Sequence, residues 1–356
     1  MQAIDLLKDY QRRLQPYLEE FFEEKIKQSK QVDPLATQTL KIIKKFVLSG
    51  GKRLRPALVY YGYLAAKGEK NEGIVKASIS IELIHSFLLI HDDIIDRDDK
   101  RHGGETVHVT YKKMAKRFFP SADQEHFGNS MAIVAGDLAM MMGNEVLFNM
   151  DFPPEVILKA LNKLQEIVYV TIPGEMVDVV LEAQGRATEE EIMRMYEGKT
   201  ARYTFEGPLQ LGAVLAGADE RFVESLSAYA IPLGIAFQIR DDILGVFGDE
   251  KKLGKPVGSD IIEGKQTILV VKALEKGNRK QKTRVKALLG KTDLTQVEIE
   301  EFRQLVTETG ALDYANKKCQ DLIDESLEAL GRLDLQSQEA KGFLEGIAQF
   351  IVKRHH

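Results

Sequence analysis

Apolar residues recur every three or four positions along most of this chain. Ile4, Leu6, Leu7, Tyr10, Leu14, Tyr17, Leu18 and Phe21 mark one such helical face, and Ile299, Phe302, Leu305 and Val306 mark another. No run alternates apolar and polar residues for long enough to build a sheet. Start signals sit where the helices need them. Thr188 is followed by Glu189, Glu190 and Glu191, and Thr295 precedes Glu298 by three residues, so both fit reciprocal capping of a first helical turn. The pattern predicts an all-α bundle of roughly a dozen or more helices around a central cavity, with essentially no strand. Two stretches, 78–95 and 228–246, are apolar almost all round and are expected as central, buried helices.

Length and composition narrow this picture. At 356 residues the chain can bury a large core, and length alone would allow two domains. It has only 10 prolines and no Gly/Ser/Pro-rich divider, which favours one domain over residues 1–356. A net charge of −5 argues against a general nucleic-acid surface, so no nucleic-acid partner is expected. The lone Cys319 excludes an internal disulfide and fits a reducing, cytoplasmic setting. The N-terminus carries Asp5 and Asp9 early and reads as an amphipathic helix, not a signal peptide. Uninterrupted apolar runs such as 86–91 and 177–181 fall far short of the roughly 20 residues of a membrane span, so none is expected.

Two loops stand out. One covers 98–106, rich in charge and Gly; the other covers 248–267, with Gly248, Gly254, Gly258 and Gly264 among Lys251, Lys252, Lys255 and Lys265. Each follows an apolar helix that ends in aspartates. In the first, Asp92 and Asp96 lie about 40° apart on one helical face, with His85 almost on the same line. Two carboxylates roughly 5 Å apart repel by about 3 kcal/mol at an effective dielectric near 20, so this helix end needs a cation. Arg97, Lys100 and Arg101 could supply it. A calcium loop starting at Asp96 fails, because its fifth and sixth positions would be Lys100 and Arg101. Mg²⁺ survives as a reading, since it commonly takes one or two carboxylates and completes its shell with phosphate oxygens and water. In the second helix, Gln238 and Asp242 form an i, i+4 pair with Asp241 beside them. Earlier, Gly50-Gly51-Lys52-Arg53-Leu54-Arg55-Pro56 places three cations in one turn after a Gly-Gly break, an anion site near a helix N-terminus.

With these motifs stand Gly136-Asp137, Gly174-Glu175-Met176-Val177-Asp178, Lys199-Thr200, Gly254-Lys255-Pro256-Val257-Gly258-Ser259-Asp260 and Gly264-Lys265. In this order the set resembles the trans-prenyl diphosphate synthase family over nearly the whole chain. The resemblance implies the isoprenoid synthase fold and head-to-tail condensation of isopentenyl diphosphate with an allylic diphosphate. It further implies three Mg²⁺ ions held by Asp92, Asp96 and Asp241, with Asp93 and Asp242 in support and Asp178 adjoining through water. Lys52, Arg55, His85 and His102 match positions that bind isopentenyl diphosphate. Arg101, Lys199, Lys255 and Lys265 match those for the allylic diphosphate, and Thr200 and Gln238 those whose oxygens face the allylic cation. Lys199, Thr200, Gln238 and Lys255 are thus the implied catalytic residues. The chemistry needs no protein nucleophile: the allylic C–O bond ionises when the departing diphosphate is neutralised in a water-poor cavity. Family members are commonly homodimers, so a homodimer is expected.

The chain departs from the family pattern twice. Lys100-Arg101-His102-Gly103 stands where paired arginines are common, and His102 lacks the charge and bidentate fork of arginine. The expectation is weaker or pH-dependent isopentenyl diphosphate binding, tested by the Michaelis constant of His102→Arg. Gly245 replaces a third aspartate; Asp249 lies two turns beyond Asp241, but Gly248 is expected to end the helix first. In the family, bulky residues before the first aspartate motif set product length. Phe87, five positions before Asp92, and Leu88, four before, are the floor candidates. Helix geometry favours Leu88 and the family Phe87. The resemblance then points to a geranylgeranyl (C20) product, with farnesyl (C15) as runner-up. A terpene cyclase and a weakly active or non-catalytic partner subunit are the competing functions.

Overall fold

In a computed structural model the chain is described over residues 3–67, 69–248 and 258–353. Helices α1 (Ala3–Ser29), α2 (Pro34–Leu48), α3 (Leu54–Lys67) and α4 (Glu72–Ala77) lead into α5 (Ile79–Ile95), which carries the first aspartates. A short antiparallel pair, β1 (Lys100–Arg101) and β2 (Gly104–Glu105), sets Lys100 opposite Glu105. The sequence pattern, read as loop at 98–106, does not show it, because two residues are too few to alternate. Helices α6 (Val107–Phe118), α7 (Gln124–Phe148), α8 (Pro154–Gln184) and α9 (Glu189–Tyr196) follow. A π-helix (Glu197–Glu206) continues directly into α10 (Gly207–Leu215). Then come α11 (Glu220–Ser225), α12 (Ser227–Phe247), α13 (Ser259–Glu263), α14 (Ile268–Lys276), α15 (Arg279–Leu288), α16 (Gln296–Glu308), α17 (Ala311–Arg332) and α18 (Gln338–Lys353).

The predicted helix starts are present. Thr188 with Glu191 and Thr295 with Glu298 form reciprocal capping boxes, and Asn278 with Gln281 forms a third. Helix α12 ends at Phe247 with Gly248 as its cap, as expected of that glycine. Within the loop expected at 248–267, α13 forms between Gly258 and Gly264, whose φ values of 93° and 80° favour glycine. Its five residues are too short a run for periodicity to reveal.

Helices α5 and α12 are central. The first packs on α7, the second on α17 and the π-helix. Tyr61 of α3 stacks on Phe343 of α18 with ring centroids 3.8 Å apart, and the Tyr229 hydroxyl donates to the Leu344 carbonyl at 2.8 Å. These contacts fold the C-terminal helix back onto the first half of the chain. The helical stretches Glu72–Ile95, Gln124–Phe148 and Glu220–Phe247 are long and apolar enough to cross a membrane by length and composition. Uninterrupted runs alone do not show this, because scattered polar residues break each stretch while its average hydropathy stays high. In the first of these, 72% of the most apolar window is buried inside the protein, so its apolarity serves the core.

Candidate active site

The first acidic turn closes α5. Asp96 caps the helix, its amide donating to the Asp92 carbonyl at 2.8 Å. The β1–β2 hairpin then returns Arg101 to the same turn. Arg101 Nε donates to Asp93 Oδ1, while Nη2 reaches Asp98 Oδ2 at 3.3 Å and Asp92 Oδ2 at 3.5 Å. Asp93 is fully buried, and that burial pushes its carboxyl up to about 7 even though Arg101 opposes the shift. Burial also raises the Asp92 carboxyl; Lys199 counters this and the nearby Asp96 charge adds to it.

Two lysines enter from other elements. Lys199, on the π-helix, lies 2.6 Å from Asp178 Oδ2, 2.8 Å from Glu175 Oε2 and 3.9 Å from Asp92 Oδ1. Lys265, beyond α13, lies 2.7 Å from Asp96 Oδ1 and 3.4 Å from Asp178 Oδ2. Burial alone would raise Asp178, but the two ammonium groups prevail and hold it below the ordinary carboxylate value. Helix α8 can set Asp178 this close because Gly174 lies against the backbone of Gly198 and Lys199, where a Cβ would overlap the chain. On the other flank Gly234 of α12 does the same against Ala201. The widened π-turn between these glycines presents Lys199, Thr200, Tyr203 and Thr204 to the site, a common use of this rare helix type.

The second acidic turn, on α12, is bound to the π-helix. Thr200 Oγ1 donates to Gln238 Oε1 at 2.7 Å, and Gln238 Nε2 donates to Asp242 Oδ1 at 2.8 Å. The Tyr196 hydroxyl donates to Asp242 Oδ2. Asp242 is buried, which raises its carboxyl well above the usual range despite these donors.

A cavity of about 730 Å³ joins this turn to the basic segment before α3. Lys52, Arg55, His85, Arg101 and His102 line one part of it, and Gln238, Asp241, Asp242 and Asp260 another. Arg55 Nη1 meets His85 Nε2 at 3.1 Å, Nη2 donates to Thr204 Oγ1 at 2.7 Å, and the guanidinium stacks 4.1 Å from the Tyr203 ring centre. Arg55 can only donate, so His85 Nε2 accepts and its proton is assigned to Nδ1, 2.5 Å from the Tyr203 oxygen. Burial first, then Arg55, holds His85 well below its ordinary pKa, so it is neutral there.

Comparison with known proteins bears on this arrangement directly. Residues 37–306 match the polyprenyl synthetase family model. The chain belongs to the polyprenyl synthetase family. It is a prenyltransferase. It is 34% identical to a geranylgeranyl diphosphate synthase of Methanosarcina mazei over 86% of this chain and 87% of that one. It is also 34% identical to a short chain isoprenyl diphosphate synthase of Methanothermobacter thermautotrophicus, over 100% of both chains. Among solved structures, geranylgeranyl pyrophosphate synthase from Corynebacterium glutamicum, complexed with isoprenyl diphosphate and magnesium, superposes with a TM-score of 0.92 at 32% identity, covering 98% of this chain and 99% of that one. The helical architecture is thus the isoprenoid synthase fold of these relatives.

Against that family background, most residues named from the sequence come together, with two corrections. Lys52, Arg53 and Arg55 do not share one helical turn: α3 begins only at Leu54, and Arg53 precedes it with φ 51°. Arg53 is buried in an ion pair with Glu82 and donates to the Val47 carbonyl at 2.5 Å, which leaves Lys52 and Arg55 as the cations of the anion site. Phe87 and Leu88 are not among the lining residues of the cavity; Phe87 is buried with its ring edge-on to His91 at 4.9 Å. Gly245, expected only as a missing aspartate, has the Asp260 carboxylate against the point where its Cβ would stand. Lys255 lies outside the described residues. Sequence reasoning passed over Tyr196, Tyr203 and Asp260 as site residues, and left Glu175 without a role. The Gly174–Asp178, Lys199–Thr200 and Gly254–Asp260 motifs pointed toward them.

Proposed function

We propose that this prenyltransferase joins isopentenyl diphosphate head to tail to an allylic diphosphate, in a Mg²⁺-dependent reaction, and releases a C20 geranylgeranyl product. One observation carries the reading: a single cavity sets the Lys52–Arg55–His85 cluster opposite Gln238, Asp241 and Asp242. An enzyme acting on one diphosphate alone, such as a terpene cyclase, would have no use for the basic cluster.

The donor set suits a hard cation. Among the described residues no preformed group of three ligands exists, which is how Mg²⁺ sites shared with substrate phosphates are built. Asp93 Oδ2 and Glu175 Oε1 are buried carboxylate oxygens without a hydrogen-bond partner, as groups awaiting a cation would be. Asp92, Asp96 and Asp241 would hold three Mg²⁺, with Asp93, Asp242 and Asp178 in support; the ions would supply neutralisation of the departing diphosphate. The chain's own part is orientation. Lys199, Lys265, Arg101 and Lys255 bind the allylic diphosphate; Lys52, Arg55, His85 and His102 bind isopentenyl diphosphate. Thr200 and Gln238 present oxygens to the allylic cation, and the released diphosphate takes the proton.

By the family resemblance Phe87 serves as the floor for the growing chain, so Phe87→Ser should lengthen the product. The deciding test incubates the purified chain with Mg²⁺, labelled isopentenyl diphosphate and each allylic primer, and sizes the product. A C20 ceiling supports the reading, a C15 ceiling moves it to farnesyl, and no product from the chain alone assigns it to a heteromeric partner. The enzyme works as one domain over residues 1–356, in the cytoplasm, and as a homodimer. Support for the dimer lies in exposed apolar side chains on the adjacent helices α7 and α8, including Ile133, Val134, Met141, Leu158, Tyr169 and Met176.

A further inference from the structure

The direction of the hydrogen bonds that hold Thr200 and Gln238 can be deduced, and it runs back to Tyr196; of these three residues Gln238 alone lines the cavity. Tyr196, the last residue of α9, is buried. Its oxygen accepts from the Ile268 amide at 2.9 Å, and an amide can only donate. The phenolic proton is therefore committed elsewhere, and Asp242 Oδ2 receives it. With Asp242 ionised, the state in which it would support a metal, the other carboxylate oxygen, Oδ1, accepts from Gln238 Nε2 at 2.8 Å. That bond decides the amide orientation: with the nitrogen toward Asp242, the carbonyl oxygen is toward Thr200, 2.7 Å away. Thr200 must then spend its proton on Gln238. What remains on the Thr200 and Gln238 oxygens outside these bonds is lone-pair density and no O–H. Were the amide reversed, Thr200 would accept from its nitrogen and could aim its proton, the positive end of the dipole, at the cavity.

We propose that Tyr196 is a positioning residue for the reaction: by holding Asp242 as an acceptor it fixes Gln238 and Thr200 with their oxygens available to a developing carbocation. This rests on the condensation proposed above. Preorganised dipoles of this kind act on the charged transition state and not on the neutral isoprenoid, because the surroundings are desolvated. Tyr196 also caps α14 through Ile268, so a purely structural role is the competing account.

The two accounts separate in Tyr196→Phe, which keeps the ring and removes only the hydroxyl. Binding of two diphosphate analogues to the full-length enzyme with Mg²⁺ is measured calorimetrically: one with an ammonium nitrogen in place of the carbon that becomes cationic, one its neutral carbon isostere. The expected result is about a tenfold loss for the ammonium analogue, the scale of one buried hydrogen bond, with the neutral isostere unchanged. Calorimetry counts competent sites, so the ratio survives a partly folded preparation. In turnover, kcat should fall with the Michaelis constants unchanged, and Tyr196→Phe should add nothing in a Thr200→Val background. Equal loss on both analogues, additive losses in the double variant, or no change would each overturn the proposal. Loss of the condensation reading would show in the unmodified enzyme, loss of this one only in the variant.

Discussion

Asp93 is the residue of the first acidic turn that its surroundings oppose most openly. Its folded carboxyl titrates at about 7, against 3.8 for the free group, because burial outweighs the Arg101 contact. The folded state thus holds this proton more tightly than the unfolded state, so the associated stability is complete below pH 4 and is lost as pH rises toward 7. In the metal-free protein, Asp93→Asn should therefore raise the thermal midpoint at pH 7.5 by roughly 2–4 °C relative to the parent, and by less at pH 5. Differential scanning calorimetry at the two values checks this. His85 slopes the other way: its folded pKa is depressed, so its contribution is present above the unfolded value and lost as pH falls. At Gly245, an added aspartate would meet the Asp260 carboxylate. Gly245→Asp should lower the metal-free midpoint without raising kcat, a result that would separate this site from one merely lacking a ligand. From sequence, Asp92 and Asp96 were legible because their spacing is local. Asp260 beside Gly245 was not, because the two lie on different helices, α12 and α13, and meet only in the fold.

The π-helix is the element on which the site depends. It carries Lys199 to Asp178, Thr200 to Gln238, Tyr203 to His85 and Thr204 to Arg55. Gly174 and Gly234 clamp it from either side. Gly174→Ala would drive a methyl into the Lys199 backbone, a misfit expected to cost about 1–3 kcal/mol. It should lower kcat more than it changes either Michaelis constant, since the displaced groups are those next to the reacting carbon; steady-state kinetics and a denaturant titration test the two parts. The sequence showed the helix start at Thr188 with Glu191, which the structure bears out. It did not reveal the π-turn, because that widening comes from packing between α8 and α12, not from the apolar period of the segment.

At the scale of the molecule, buried carboxylates dominate the behaviour expected of the enzyme. Asp92, Asp93, Glu175 and Asp242 are all raised, first by burial, so the metal-free fold carries unfavourable charge as pH rises. Mg²⁺ with inorganic diphosphate should raise the thermal midpoint, and by more at pH 8 than at pH 6, because ligands must be deprotonated to bind. Self-association belongs to this scale too: Val134→Glu combined with Tyr169→Glu should shift a dimer to monomer in sedimentation velocity, with both side chains now 60% and 77% exposed. The amino-acid sequence by itself determined most of the helices, two of their caps and the two aspartate turns, each from residues a few positions apart along one element, and the reaction class from the order of short motifs along the chain. Only the tertiary structure decided that Arg53 pairs with Glu82, that Tyr203 faces His85, and that Tyr196 stands behind Asp242. Those pairings join residues 29, 118 and 46 positions apart. They are set by which buried polar groups can satisfy one another once the helices are packed.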